Sequence, residues 1–386
     1  MSTEQTSPSL VNEPPYFNSF SSPNRLLMGA GPSQVHPDVL KVMSNITIGH
    51  LDPAMLVMMD ELKDMLRYIF QTNNSMTFPV SGPGSLGMEA CVNNMVEPGD
   101  KVLICINGVF GGRMAEVTRR AGAEVVTTED DWGKPVDPDK VRKAFSENPD
   151  IKHMGFVHAE TSTGVLSDAA NLCQIAKENK AFIIMDTVTS LAGVPVQVDV
   201  WGADAVYSGS QKCLSCPPGL SPVTFSNAAV KHVENRKQPV QSWLLDLSLV
   251  SAYWNSDGAR TYHHTAPVNS LMGLHEALRR IVEEGLETVW ARHRDCQQRM
   301  VAGLLELGFE MLVDEEFRLP ELLTVFLPPD IEDAPSRTLL LEDHGIEISA
   351  GLGQFAGKLW RIGMMGEAAQ LENVDKLIEA LKTISR

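Results

Sequence analysis

The period of the apolar positions changes along the chain, and the changes mark out its elements. From Asp52 to Phe70, Met55, Met58, Met59, Leu62, Leu66 and Ile69 recur at three- and four-residue spacing, which predicts one amphipathic helix. Its Met-rich stripe reads as core or as a subunit interface. Beyond it, short apolar runs predict strands at Met76–Val80, Lys101–Ile106, Glu124–Thr128, His153–His158, Phe182–Asp186, Ala203–Tyr207 and Pro222–Phe225,. Helical patterns lie between them at Ser85–Met95, Arg113–Ala121, Pro138–Ser146 and Ala169–Asn179. This alternation with short connections predicts an α/β fold with a mostly parallel sheet. In such sheets ligands gather beyond the carboxyl ends of the strands.

Two long amphipathic helices follow at Leu271–Glu284 and Glu287–Leu307. Strands at Leu323–Leu327, Ile346–Ala350 and Leu359–Gly363, with a closing helix at Asn373–Ser385, read as a smaller α+β unit. The expected organisation is an N-terminal arm over residues 1–24, rich in Ser, Pro and Asn, a large domain over 25–283 and a small domain over 284–386.

Composition narrows the function. The 386 residues carry a net charge of -17, which argues against nucleic-acid binding because that needs a basic face. No apolar run reaches membrane-spanning length. The first residues hold no basic residue before Arg25 and no apolar core, so no signal peptide is expected and a cytoplasmic setting fits. Six cysteines are scattered, as in a reducing compartment,. Cys213-x-x-Cys216 has metal spacing but lacks a second pair and a nearby His pair, so no metal is expected.

The candidate chemistry centres on Tyr207-Ser208-Gly209-Ser210-Gln211-Lys212, before the turn Pro217-Pro218-Gly219. A lysine at the end of a short strand can act through its amine if burial lowers its pKa. Six other features accompany it. Ser81-Gly82-Pro83-Gly84-Ser85 joins a strand to a helix, and free amides there suit a phosphate. Asn107-Gly108-Val109-Phe110-Gly111-Gly112 offers a ring that either stacks on a flat cofactor or packs ordinarily. His158 to Gly164 ends a strand with polar groups. Asp186 ends a buried strand, where it can keep a pyridine nitrogen protonated. Arg361, at the end of an apolar strand, either grips a carboxylate or forms a structural salt bridge. Tyr262-His263-His264-Thr265 adds hydroxyls suited to phosphate. Together these are the parts of a pyridoxal-phosphate enzyme acting on an amino acid.

With Gly29-Ala30-Gly31-Pro32-Ser33, Glu97-Pro98-Gly99-Asp100, Glu160-Thr161-Ser162-Thr163-Gly164 and Arg361-Ile362-Gly363 added, the chain resembles the class V aminotransferases from about Leu26 onward. Within them it looks most like the alanine–glyoxylate and serine–pyruvate enzymes. The resemblance implies fold type I, with a mostly parallel seven-stranded sheet in the large domain and a smaller C-terminal α+β domain. It implies pyridoxal 5′-phosphate held by Lys212 as a Schiff base, with Asp186 on the pyridine nitrogen and Phe110 stacked on the ring. It further implies Ser81, Gly82, Gly84 and Gln211 at the phosphate, and Thr161 near the ring hydroxyl. Gly31 and Arg361 would bind substrate. Tyr262 and Thr265 would reach the neighbouring subunit's phosphate, so a homodimer with shared sites is expected. Two departures stand out: Phe110 occupies a position usually held by Trp, and Pro83 and Ser85 stand where relatives have Ser and His.

The small residues Ala30 and Gly31, with one carboxylate anchor, favour L-alanine or L-serine as donor and glyoxylate or pyruvate as acceptor. The alternative is (S)-ureidoglycine–glyoxylate transfer. That branch tends to have Asn in place of Tyr262 and Gln in place of His50. A cysteine desulfurase would need a reactive Cys in the C-terminal part, and none follows Cys296. A non-catalytic relative could lose Lys212 or Arg361, and both are present.

Overall fold

The computed structural model describes residues 17–254 and 260–384. Most of the arm expected over 1–24, and Ser385 of the closing helix, lie outside the described residues. Seven strands form the main sheet: β1 (Met76–Ser81), β2 (Lys101–Ile106), β3 (Glu124–Glu129), β4 (His153–Val157), β5 (Phe182–Asp186), β6 (Ala205–Tyr207) and β7 (Leu220–Phe225). Their spatial order is β1-β7-β6-β5-β4-β2-β3. Strands β2 to β6 pair in parallel, and β7 runs antiparallel to both β1 and β6. Strands β4 and β7 are buried along their whole length, and β2 and β5 everywhere but at their ends. Helices cover both faces of such a sheet, so its strands read as apolar runs without alternation.

The first four helices are α1 (Pro37–Met43), α2 (Pro53–Phe70), α3 (Gly84–Met95) and α4 (Val109–Arg120), and the last two line the site. Asp52 caps α2 by accepting from the Ala54 N–H at 2.8 Å, and Pro53 supplies the first helical φ,. The α2 residues Met55, Met59, Leu62, Leu66 and Ile69 are all buried in the core, while Met58 only packs against its edge. Helix α4 starts at Val109, four residues before the expected Arg113. The Gly-rich stretch masks this start, because glycine disfavours helix interiors.

A four-stranded antiparallel sheet follows in the order Glu310–Met311, Leu322–Phe326, Leu359–Gly363, Ser349–Ala350. It carries a second core around Met300, Phe309, Val325, Trp360, Ile362 and Leu377. The expected strand Ile346–Ala350 is divided. Ile346–Glu347 pairs in parallel with Leu26–Leu27, and Ser349–Ala350 pairs with the strand that carries Arg361. The N-terminal segment is thereby stitched to the C-terminal sheet. Helices at Asn227–Glu234, Leu247–Trp254 and Asp333–Asp343, and α1, were not expected from the pattern. They are short, and a few turns give too little periodicity to stand out.

Glu321, at the head of the strand Leu322–Phe326, is fully buried, and among the described residues neither carboxyl oxygen has a hydrogen-bond partner. Burial pushes this carboxyl from its ordinary 4.5 up to about 8,. The folded value lies above the unfolded one. The stability tied to the neutral carboxyl is therefore complete below 4.5 and is lost as pH rises through about 8,. Glu321→Gln is expected to raise the melting temperature at pH 8 and to change it much less at pH 4.5. Equal shifts at both pH values would contradict this account.

Candidate active site

The loops at the carboxyl ends of the parallel strands converge on a cavity of about 250 Å³. Six of the residues expected from the sequence line it: Gly84, Phe110, Thr161, Asp186, Gln211 and Lys212. Pro83, Ser85, Arg113, Val188 and Tyr207 line it as well, and none of these was assigned a role from the sequence.

Lys212 is buried, and its Nζ donates to the Ala30 carbonyl. Two bonds fix its backbone: the Ser33 hydroxyl donates to the Lys212 carbonyl at 2.6 Å, and the Ser33 N–H donates to the Gln211 carbonyl at 2.8 Å. Gly31 lies against the lysine side chain. It has φ +103, and a Cβ there would come within 2.6 Å of Nζ. Only glycine satisfies both conditions. Desolvation, aided by the Arg361 charge, pulls the Lys212 ammonium from 10.5 down to about 8,.

Asp186 ends β5 at the cavity wall. Its carboxyl accepts from the Tyr207 hydroxyl at 2.6 Å and from the Val188 N–H at 2.7 Å. Desolvation outweighs these bonds and pushes it from 3.8 up to about 7. A carboxyl held this rigidly and short of compensating charge suits a cation such as a protonated ring nitrogen. Gln211 brings a buried Oε1 that has no hydrogen-bond partner. At the other end of the cavity α3 begins at Gly84, and the first N–H groups of a helix have no partner inside it,. The cavity thus offers an amine, a carboxyl for a ring nitrogen, an aromatic wall and anion-binding amides. That donor set fits a flat, phosphorylated pyridine.

Glu160 organises one wall, a task that its place in the Thr/Ser turn does not by itself assign. Its buried carboxylate accepts from Phe110 N–H at 3.1 Å, Gly111 N–H at 3.3 Å, Ser162 N–H at 3.0 Å and the Ser162 hydroxyl at 2.6 Å. The Ser162 hydroxyl in turn accepts from Val109 N–H at 3.0 Å. Glu160 and Ser162 therefore cap α4 from outside the helix and set the position of Phe110. A Cβ on Gly108 would lie 2.5 Å from the Glu160 carboxyl carbon, so the close approach requires glycine. An acid in a Thr/Ser turn that faces glycines was the available signal.

Arg361 is buried beside this wall. Its Nε donates to the Ala350 carbonyl at 2.9 Å and its Nη1 to the Thr161 carbonyl at 3.3 Å. It makes no ion pair among the described residues, so the salt-bridge alternative is not realised. Burial lowers its pKa and Glu160 opposes the shift. The remaining expected residues do not line the cavity. Ser81 Oγ instead contacts the His264 ring at 3.0 Å, and Gly82 packs against the Leu86 side chain. The residues of this turn that line the cavity are Pro83, Gly84 and Ser85. Tyr262 is 58% exposed, and its hydroxyl lies 3.4 Å from Thr265 Oγ1. Its ring lies 5.1 Å from that of His50.

The family model for class-V aminotransferases matches residues 25–377. An alanine–glyoxylate aminotransferase from Oryctolagus cuniculus is 39% identical over 363 residues, covering 94% of this chain and 92% of that protein. The crystal structure of an alanine–glyoxylate aminotransferase from Nostoc sp. aligns with a TM-score of 0.93 at 43% identity, over 96% of this chain and 98% of that one. The crystal structure of ureidoglycine–glyoxylate aminotransferase from Bacillus subtilis aligns with a TM-score of 0.92 at 36% identity, over 95% and 94% of the two chains.

The depressed lysine can be measured directly. Amine-directed labelling followed by peptide mass spectrometry is expected to show Lys212 half-titrated near pH 8 rather than 10.5. Arg361→Met removes a neighbouring positive charge and is expected to move the midpoint upward. A midpoint at the ordinary value in the unmodified chain would refute the desolvated amine.

Proposed function

The chain belongs to the class-V aminotransferases, and from that premise we propose that it moves the amino group of a small amino acid, L-alanine or L-serine, to glyoxylate or pyruvate. Enzymes of this class use pyridoxal 5′-phosphate, and the cavity's donor set fits that group. The observation that carries the proposal is one cavity holding two oppositely perturbed groups, a lysine lowered to about 8 and an aspartic acid raised to about 7,. Paired with a buried arginine that has no ion-pair partner, they make a site for an α-amino acid. The high likeness to alanine–glyoxylate aminotransferases supports the substrate class.

Each residue then has a task. Lys212 holds the cofactor and, once released, takes a proton from the substrate α-carbon and returns one on the other side of the reaction. A pKa near the working pH suits an amine that must do both. Asp186, anchored by Tyr207 and Val188, keeps a proton on the ring nitrogen. When bound, the cofactor supplies an electron sink for the bond electrons released at the α-carbon. Phe110 would cover the ring, and Gly84 and Gln211 would hold its polar groups. Arg361 grips the substrate carboxylate, and Ala30 and Gly31 lie against the Lys212 amine. The donor leaves as a keto acid before the acceptor enters, a two-step exchange.

The reading extends to a homodimer. Tyr262 and Thr265 lie outside their own chain's cavity and are exposed, as are Ile46 and Trp243, which supports their serving a second copy. The division into domains over 25–283 and 284–386 belongs to the same reading, supported by a second core whose buried residues, apart from Met28, all come after 284. A cytoplasmic, reducing setting is supported by six cysteines that are all free thiols. Among the described residues no helix is long and apolar enough to cross a membrane.

A stopped-flow half-reaction panel tests the function. The holoenzyme is mixed with L-alanine, L-serine, glycine, L-aspartate and ureidoglycine, and the cofactor absorbance is followed. Fast conversion by alanine or serine, reversed by glyoxylate, is expected. Conversion by ureidoglycine alone would replace the proposal with the ureidoglycine reading. Lys212→Ala is expected to abolish turnover, and an active Lys212→Ala enzyme would end the mechanism. Arg361→Ala is expected to raise KM for the amino donor by about 10- to 100-fold, the loss of a charge-assisted pair.

A further inference from the structure

The mechanism above leaves one charged residue of the cavity without a task. Arg113 lies on α4, one turn beyond Phe110. Its guanidinium carbon stands 4.9 Å from the centre of the Phe110 ring, and its Nη1 donates to Ser85 Oγ at 3.3 Å. Ser85 occupies the second position of α3, where the helix amides face outward,. Arg113 and Ser85 therefore bring two helices together at one end of the cavity. Arg113 makes no ion pair among the described residues, and its side chain is exposed toward solvent.

Charge and donor supply both point to a role. The chain carries a net charge of -17, so its long-range field opposes a phosphate dianion. Local positive charge must hold that anion. Among the residues lining the cavity only Lys212 and Arg113 are cations, and Lys212 is engaged with the cofactor's reactive end. The turn at the start of α3 is also short of donors, because Pro83 has no N–H. A planar guanidinium supplies several donors in a geometry matched to phosphate.

We infer that Arg113, with Ser85, binds the phosphate of the cofactor, replacing the donor lost at Pro83. Arg113 is here a binding residue in direct contact with the anion. The assignment rests on the pyridoxal-phosphate reading of the cavity.

The test compares two probes, pyridoxal 5′-phosphate and pyridoxal, which differ only in the phosphate. Apoprotein is titrated with each, and binding is read from cofactor absorbance and tryptophan fluorescence, independent of turnover. Arg113→Gln is expected to weaken the phosphorylated probe by about 10- to 100-fold and to leave pyridoxal affinity unchanged. Arg113→Lys keeps the charge without the fork, and is expected to recover part of the loss. Equal weakening of both probes by Arg113→Gln, or no recovery with Arg113→Lys, overturns the assignment in favour of a packing role under Phe110. Unchanged affinity for the phosphorylated probe in Arg113→Gln overturns it alone. A wild-type chain that binds neither probe overturns the aminotransferase reading with it.

Discussion

Removing one ammonium group from water is the constraint that the rest of the site answers. Lys212 is buried against the 29–33 loop, and desolvation brings its amine to about 8,. Such a group is costly to keep in its charged form. Its surroundings fit that cost: Ala30 presents a carbonyl to Nζ, Gly31 leaves room for the side chain, and Ser33 fixes the backbone on either side of the Gln211–Lys212 peptide. Asp186 faces the mirror-image problem, since burial raises its pKa. The two groups share one cavity, and burial biases each toward the neutral form until a ligand supplies compensating charge.

Glu160 shows how such a cavity is given walls. Four donors converge on its carboxylate, and two of them are the opening amides of α4. The same acid sits near enough to Arg361 and Asp186 to act on both electrostatically. It is therefore a structural anion placed between reactive groups. Loosening it would move Phe110 and disturb the charge balance together, which makes its conservative replacement by a neutral amide more informative than its deletion.

Much of this was legible in the sequence because its physics is local. Strands buried on both faces leave unbroken apolar runs, so β2, β4 and β5 were found within a residue. Asp186 ends β5, where α/β sheets display ligand groups,; Lys212, by contrast, lies in the turn five residues beyond β6, and Arg361 sits in the middle of the strand Leu359–Gly363 rather than at its end. What escaped was non-local. The start of α4 was hidden because its cap comes from Glu160, 50 residues downstream of Phe110. Nothing in a glycine-rich turn shows which of its residues face the cavity, and it is Pro83 and Ser85, not Ser81 and Gly82, that line it. Arg361 had two readings, and only the position of every carboxylate could separate them. Arg113 read as the first residue of a helix, a place where an arginine is usually solvated.

The path of residues 26–33 has a further consequence. Leu26 and Met28 bond to the backbone of the C-terminal unit, and the Met28 carbonyl accepts from Gly363, two residues beyond Arg361. A few residues on, Ser33 grips the lysine segment. One short length of chain is thus fastened at one end beside the arginine and at the other beside the lysine. It works as a ruler between the two groups that must span a substrate from its carboxylate to its amine. An insertion of a single residue between Gly29 and Ser33 would change that gauge without touching either side chain.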